Sequence, residues 1–192
     1  MVNEYFKIIF ESIKSYFNNS FSPFISSTEY VNLVDYKKSD SHNVIKKFET
    51  LFSNLIGSKN ILSFASARMG FFHLLTTLKI GKGDQIIICS GTCSVMVDAI
   101  IKSGAIPVFS DIDPYTFGSS SIEISKKITS KTKMIIAQHN FGIPCQIEEI
   151  QELCIKEKIF LLEDCALTLC SKVNGFLVGN FGDASIYSFD HT

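Results

Sequence analysis

Two polar residues at the ends of apolar segments are the first candidates for chemistry in this sequence. Asp164 ends the segment Phe160–Asp164, and Ser188 lies near the end of a second segment, Ala184–Phe189. Both segments predict strands, and ligands of parallel α/β sheets bind at the carboxyl ends of strands. An aspartate there suits a protonated heterocycle and a serine suits a phosphate, while a strand-end cap and an ordinary strand serine are the simpler alternatives.

A candidate phosphate-binding turn lies at the junction of a predicted strand and a predicted helix. The first turn of a helix presents amides without intrahelical acceptors and the positive end of the helix dipole. Ser66, Ala67 and Arg68 occupy that turn, and Arg68 is the only arginine in the chain. The alternative is that Ser66 is only an N-cap and Arg68 only a surface residue.

His139 follows the predicted strand Lys133–Ala137 and is a tentative substrate contact, with a structural histidine as the alternative. The chain has no nucleophile–histidine–aspartate spacing and no phosphate loop ending in Gly-Lys-Ser or Gly-Lys-Thr. Its six cysteines lack metal-ligand spacing, so we expect no metal site and reduced thiols, as in a cytoplasmic protein.

Composition narrows the class of protein. The chain has 192 residues, 46% of them hydrophobic, which is enough to bury a large core. Its formal net charge is −1, and its basic residues are scattered along the sequence, so we expect no nucleic-acid partner. Its apolar runs have strand length, so we expect no membrane partner.

The elements that must position these residues alternate from Ser41 onward. Residues 1–40 predict an N-terminal arm, and 41–192 predict one α/β domain. The predicted strands are Asn60–Ala65, Gln85–Cys89, Pro107–Ser110, Lys133–Ala137, Lys158–Leu162 and Ala184–Phe189. The predicted helices are Asn43–Ile56, Met69–Leu78, Ser94–Ser103, Ser121–Ile128 and Ile147–Lys156. This alternation predicts a three-layer α/β/α fold around a mostly parallel sheet.

Several motifs together resemble one family. They are Ser66-Ala67-Arg68, Gly81-Lys82-Gly83-Asp84, Asp111-Ile112-Asp113-Pro114, His139-Asn140-Phe141-Gly142, Glu163-Asp164-Cys165-Ala166 and Val178-Gly179-Asn180-Phe181-Gly182-Asp183. In order and spacing they resemble the DegT/DnrJ/EryC1/StrS family of pyridoxal-phosphate-dependent nucleotide-sugar aminotransferases, from about Phe48 to Thr192. The resemblance implies the large domain of a fold-type-I transferase that binds pyridoxal phosphate.

The resemblance also implies roles for individual residues. Asp164 matches the aspartate that pairs with the pyridine nitrogen, and Ser188 matches a phosphate-binding serine. Ala67 and Arg68, beside Ser66, stand where the family has a phosphate-binding Gly-Thr. Cys93 replaces an aromatic ring that stacks on the cofactor, and Leu167 replaces a glutamine near its phenolic oxygen. These two departures weaken the usual grip on the cofactor.

No catalytic residue is assigned, because the Schiff-base lysine of the family would follow Thr192. Lys172 is predicted to be a surface lysine on a hairpin, and the small C-terminal domain is expected to be absent. We therefore expect an incomplete large domain that shows no turnover by itself.

The intact protein is expected to move an amino group, with glutamate as the expected donor, onto a nucleotide-linked keto-sugar. Its products would enter cell-surface polysaccharides or secondary-metabolite sugars, and the family implies a homodimer. Two alternatives remain: a pyridoxal-phosphate-dependent sugar dehydratase of the same family, and an inactive remnant that acts as a binding or regulatory protein.

Overall fold

The chain forms alternating helices and strands over the part that the computed structural model describes, residues 41–189. The predicted arm at 1–40 lies outside the described residues. The helices are α1 Ser41–Ile56, α2 Ala67–Thr77, α3 Ser94–Ser103, α4 Ser121–Ser125 and α5 Ile147–Glu157. The strands are β1 Gln85–Cys89, β2 Ile106–Ser110, β3 Thr132–Gln138, β4 Phe160–Asp164, β5 Lys172–Val173, β6 Phe176–Leu177 and β7 Ala184–Ile186.

Five strands form a parallel sheet in the order β2-β1-β3-β4-β7, and β5 and β6 form a separate antiparallel hairpin. Lys172 is exposed on that hairpin, as predicted. Because side chains alternate along a strand, each strand of the sheet contributes to both faces. The sheet therefore needs a helical layer on each side.

Two apolar clusters fill the spaces between the sheet and its helices. On one face, Phe71 and Leu75 of α2 and Ile100 of α3 pack against strand residues that include Ile88 and Leu162. On the other face, α4 and α5 pack through residues that include Ile124, Ile147 and Ile150. The predicted three-layer α/β/α fold is confirmed. No helix within residues 41–189 is both long and apolar enough to cross a membrane.

The predicted strand Asn60–Ala65 is wrong. This segment is irregular, and the amide and hydroxyl of Ser63 both donate to the Glu49 carboxylate of α1 at 2.8 Å. A side chain of α1 thus takes the place of a neighbouring strand. Helix α4 is also shorter than predicted, because Lys126 ends it as a C-cap.

Helix α2 runs antiparallel to the strands. Residues just after α2, Leu78 to Ile80, line a groove together with Lys133 of β3 and Phe160 of β4, at the amino ends of these strands. The 11 residues of α2 are about 16 Å long at 1.5 Å per residue. The N-terminus of α2 therefore lies towards the carboxyl edge of the sheet.

The loop from the hairpin to β7 depends on one glycine. Gly179 has φ +92°, and a Cβ at this position would collide with the hydroxyl of Tyr187. Gly175, in the hairpin turn, has φ +87° but open space around it. The two positions share the same backbone constraint and differ in the space that a Cβ would have.

We expect Gly179→Ala to destabilise the fold more than Gly175→Ala does. Both variants carry the left-handed backbone cost of about 1–2 kcal/mol, and Gly179→Ala adds an overpacking cost of about 1–3 kcal/mol. Urea unfolding of both variants measures the difference. Equal losses of unfolding free energy would contradict the role of packing at Gly179.

Candidate active site

The first turn of α2 leaves two backbone amides without acceptors. Ser66 is the N-cap, and its hydroxyl accepts a hydrogen bond from the Met69 amide at 3.4 Å. The amides of Ala67 and Arg68 have no hydrogen-bond acceptor within residues 41–189. Arg68 is exposed and forms no ion pair with the described residues. The turn thus offers amides, a dipole end and a cation, which together suit a phosphate.

Gly70 allows the preceding segment to fold against this turn. A Cβ at Gly70 would lie 2.9 Å from the Phe64 ring, and that ring stacks on His73 with centroids 5.7 Å apart. Phe64 therefore packs closely against α2. This contact positions the segment that leads into the first turn of the helix.

Asp164 is the last residue of β4 and is 5% exposed. Asp164 is two residues after Leu162 on β4, so the two side chains point to the same face of the sheet. Leu162 packs against α2 and α3, and the Asp164 carboxylate therefore lies on the face that these helices cover. Burial raises the pKa of Asp164, while the Ala166 amide and the neighbouring His139 lower it less. Oδ1 accepts the Ala166 amide at 3.0 Å, and Oδ2 accepts no hydrogen bond from the described residues. One oxygen of this buried residue is therefore available to a ligand.

The other predicted cofactor residues each follow a strand of the sheet. Cys93 is the exposed N-cap of α3, four residues after β1 ends, and its side chain makes no cap hydrogen bond. Leu167 lies in the loop after β4 and is half exposed. Ser188 follows β7 by two residues, and Ala184 and Ile186 of β7 pack towards α2. The predicted residues thus lie at one edge of the sheet.

His139 differs from them because both of its ring nitrogens bind other parts of the chain. It is fully buried, and the Cys145 amide donates to its Nδ1 at 3.1 Å. Nδ1 is therefore an acceptor, so Nε2 carries the proton and donates to Oε2 of Glu163 at 3.2 Å. Both ring nitrogens thus bind other parts of the chain, which is typical of a structural histidine, and the substrate contact at His139 stays a prediction.

Glu163 is a further functional candidate, and no motif of the sequence indicates its role. Its carboxylate is fully buried on the face opposite Asp164 and accepts hydrogen bonds from three backbone amides as well as from His139. The available signal was the pair of glycines in Val178–Asp183, since glycine-rich loops expose amides to anions. Sequence spacing alone did not show which anion that loop binds.

His139, Glu163 and Cys165 bring metal-ligand atoms within 4.8 Å of one another in the described part of the chain. Glu163 and His139 use these atoms in hydrogen bonds within the protein. Burial raises the pKa of the Cys165 thiol, and the charge of Glu163 raises it further. Because a thiol binds metals as the thiolate, this cluster is better described as a hydrogen-bonded part of the core.

The chain itself fills the topological switch point between β1 and β3. Pairing of these strands ends at Ile87 and Ile135. Beyond it, the buried hydroxyl of Ser119 accepts from the Gln138 amide at 2.9 Å and donates to the Ile136 carbonyl at 3.3 Å. A Cβ on Gly118 would lie 2.6 Å from the Gln138 carbonyl oxygen, so glycine is required there. Gly118 and Ser119 therefore occupy the crevice in which open α/β sheets usually bind a ligand.

A groove of about 770 Å³ lies at the opposite, amino edge of the sheet and contains none of the predicted site residues. Lys79, Lys133 and Lys158 line it, together with Asp84 and Asp183. The C-termini of α2 and α5 also end there, and their negative dipole ends offset the lysines. The groove is thus poorly suited to an anionic cofactor.

Comparison with known proteins agrees with this arrangement. The family model described as "DegT/DnrJ/EryC1/StrS aminotransferase family" matches residues 27–192. The chain is 38% identical over 163 residues to GDP-perosamine synthase from Escherichia coli O157:H7, covering 84% of this chain and 45% of that protein. The chain thus spans less than half the length of this curated relative.

Two solved structures show the same fold. An aminotransferase from Psychrobacter cryohalolentis has a TM-score of 0.76 at 28% identity, covering 88% of this chain and 45% of the other. A GDP-4-keto-6-deoxymannose-3-dehydratase has a TM-score of 0.70 at 25% identity, covering 76% and 39%. Because the family model matches most of its length, the chain belongs to the DegT/DnrJ/EryC1/StrS aminotransferase family.

Proposed function

We propose that this chain forms the cofactor-binding half of a pyridoxal-phosphate-dependent aminotransferase that acts on a nucleotide-linked keto-sugar. The observation that carries the proposal is the buried Asp164 carboxylate, whose free Oδ2 lies at the same edge and face as the bare amides of Ala67 and Arg68. A cofactor with a cationic ring nitrogen and an anionic phosphate matches these two groups. The family and the similarity to a sugar-modifying relative support the substrate class.

The residues fit the cofactor in charge as well as in position. A cationic ring nitrogen beside Asp164 would offset the burial that raises the pKa of this carboxyl group. The α2 amides, Arg68 and Ser188 would hold the phosphate, and Cys93 and Leu167 would border the ring. When bound, the cofactor supplies an electron sink for moving an amino group, and Asp164 keeps the ring nitrogen protonated.

We propose that the amino donor is an amino acid, with glutamate as the first candidate. We also propose that the active protein is a homodimer in the cytoplasm. The dehydratase remains a second candidate because of the similarity to the dehydratase structure. The test is product analysis after a chain extended to the length of its relatives is incubated with a nucleotide-linked keto-sugar and glutamate. An amino-sugar product would support the aminotransferase, and a deoxygenated sugar would support the dehydratase.

Asp164→Asn should lower the affinity for pyridoxamine phosphate about tenfold or more, because a neutral amide stabilises a protonated ring far less than a carboxylate does. Fluorescence titration of the 192-residue chain measures this. Asp111→Asn is the matched control, because Asp111 is exposed at the end of β2 on the same edge. Equal affinities for Asp164→Asn and the parent would contradict the proposal.

Asp164→Asn should also be more stable than the parent at neutral pH. Burial raises the folded-state pKa of Asp164, so the folded protein binds more protons than the unfolded chain and the parent loses stability as pH rises above about 4. Asparagine removes this loss while keeping an acceptor for the Ala166 amide. In urea unfolding, the advantage of Asp164→Asn should be absent below about pH 4 and grow at higher pH. A difference that stays constant with pH would refute this.

Ala67→Pro tests the phosphate site. Proline is tolerated at the first position of a helix but has no N–H, so the variant should keep α2 and lose one phosphate donor. Affinity for pyridoxamine phosphate should fall about tenfold, the size of one hydrogen bond to a charged group, and affinity for pyridoxamine should not change. Ala67→Gly keeps the amide and serves as the control. An unchanged preference for the phosphate in Ala67→Pro would place the phosphate elsewhere.

A further inference from the structure

We propose that Glu163 is a positioning residue that sets the separation between Asp164 and the phosphate donors of the site. It does so by binding the loop at residues 178–183 that leads into β7. The inference rests on the proposed function, because that function assigns Asp164 and the phosphate donors to opposite ends of one ligand.

The Glu163 carboxylate accepts four hydrogen bonds and has no exposed surface. Oε1 accepts from the amides of Phe181 and Gly182, both at 2.7 Å. Oε2 accepts from the Gly179 amide at 2.7 Å and from Nε2 of His139 at 3.2 Å. Three amides of one short loop therefore converge on a single side chain of β4.

This arrangement requires an acceptor-only group at position 163. Every contact to the carboxylate comes from a donor, and His139 is held as a donor because its Nδ1 accepts from Cys145. A glutamine would turn an NH₂ group towards at least one of these donors and leave it without an acceptor. The loop would then shift away from β4.

A shift of this loop would move one end of the site relative to the other. Glu163 and Asp164 are consecutive on β4, where they pair with Ser185 and Ile186 of β7. The loop enters β7 directly, and Ser188 follows two residues after β7 ends. Since β7 also packs towards α2, the distance from Asp164 to the phosphate donors depends on where the loop places β7.

Asp183 provides a matched control on the same loop. Its Oδ2 accepts the Leu161 amide at 2.8 Å, and its own amide donates to the Leu161 carbonyl at 2.9 Å. Asp183 therefore also ties the loop to β4, but through Leu161 near the amino end of that strand. Asp183→Asn should weaken the loop without changing the end of β4 that holds Asp164.

The experiment measures the affinities of the 192-residue chain for pyridoxamine phosphate and for pyridoxamine, and takes their ratio as the phosphate preference. The parent and Asp183→Asn should share the same preference within about twofold, whereas Glu163→Gln should lose about tenfold of it, the size of one hydrogen bond to a charged group. Urea unfolding should show that both variants lose stability, so a loss of stability alone does not account for the ratio.

Glu163→Asp is the second variant, for use if Glu163→Gln does not fold. It keeps the negative charge but withdraws it by one methylene, so its phosphate preference should lie between those of the parent and Glu163→Gln. The inference is overturned if the parent prefers the phosphate form and the folded Glu163 variant keeps that preference, or if Asp183→Asn loses it equally. If the parent has no preference and Asp164→Asn has no effect, the proposed function fails instead.

Discussion

The geometry at the carboxyl ends of the strands depends on the hydrogen bonds to the buried carboxylate of Glu163. An ionised group without partners in a protein interior costs several kcal/mol, and here four donors offset that cost. Three of the donors are amides of the loop before β7, so satisfying the charge also determines where that loop lies. His139 completes the set, and its tautomer is determined in turn by the Cys145 amide.

Two adjacent carboxylates on β4 have opposite roles because strand side chains alternate. Glu163 lies among loop amides and is satisfied within the protein. Asp164 lies on the face that α2 and α3 cover, with one oxygen free and with its pKa raised by burial. A buried carboxylate of this kind lowers the stability of the fold by itself. A cationic ligand that pairs with it would offset this cost. Buried groups with perturbed pKa values are typical of functional sites for this reason.

The proposed cofactor site lies one strand away from the place that topology alone indicates. Crevices at switch points are the usual sites of open α/β sheets, but Gly118 and Ser119 occupy the crevice between β1 and β3. α2 and β7 pack together on the face of β4 to which Asp164 belongs, so the bare amides of α2 share an edge and a face of the sheet with Asp164.

The sequence by itself determined the layers of the fold, because apolar periodicity and helix caps are local properties of consecutive residues. β1 and α3 were predicted with the bounds that the structure has, and Gly104 caps α3 in the left-handed region. The motifs of the chain also indicated its family, and they indicated Asp164 and the first turn of α2 as candidate cofactor-binding positions. Only the tertiary structure decided that Asn60–Ala65 is not a strand, that the buried His139 ring binds Cys145 and Glu163, and that Glu163 binds a loop 16 to 19 residues further along the chain. These features depend on partners distant in sequence, and hydrogen bonds of that kind have no signature in residue spacing.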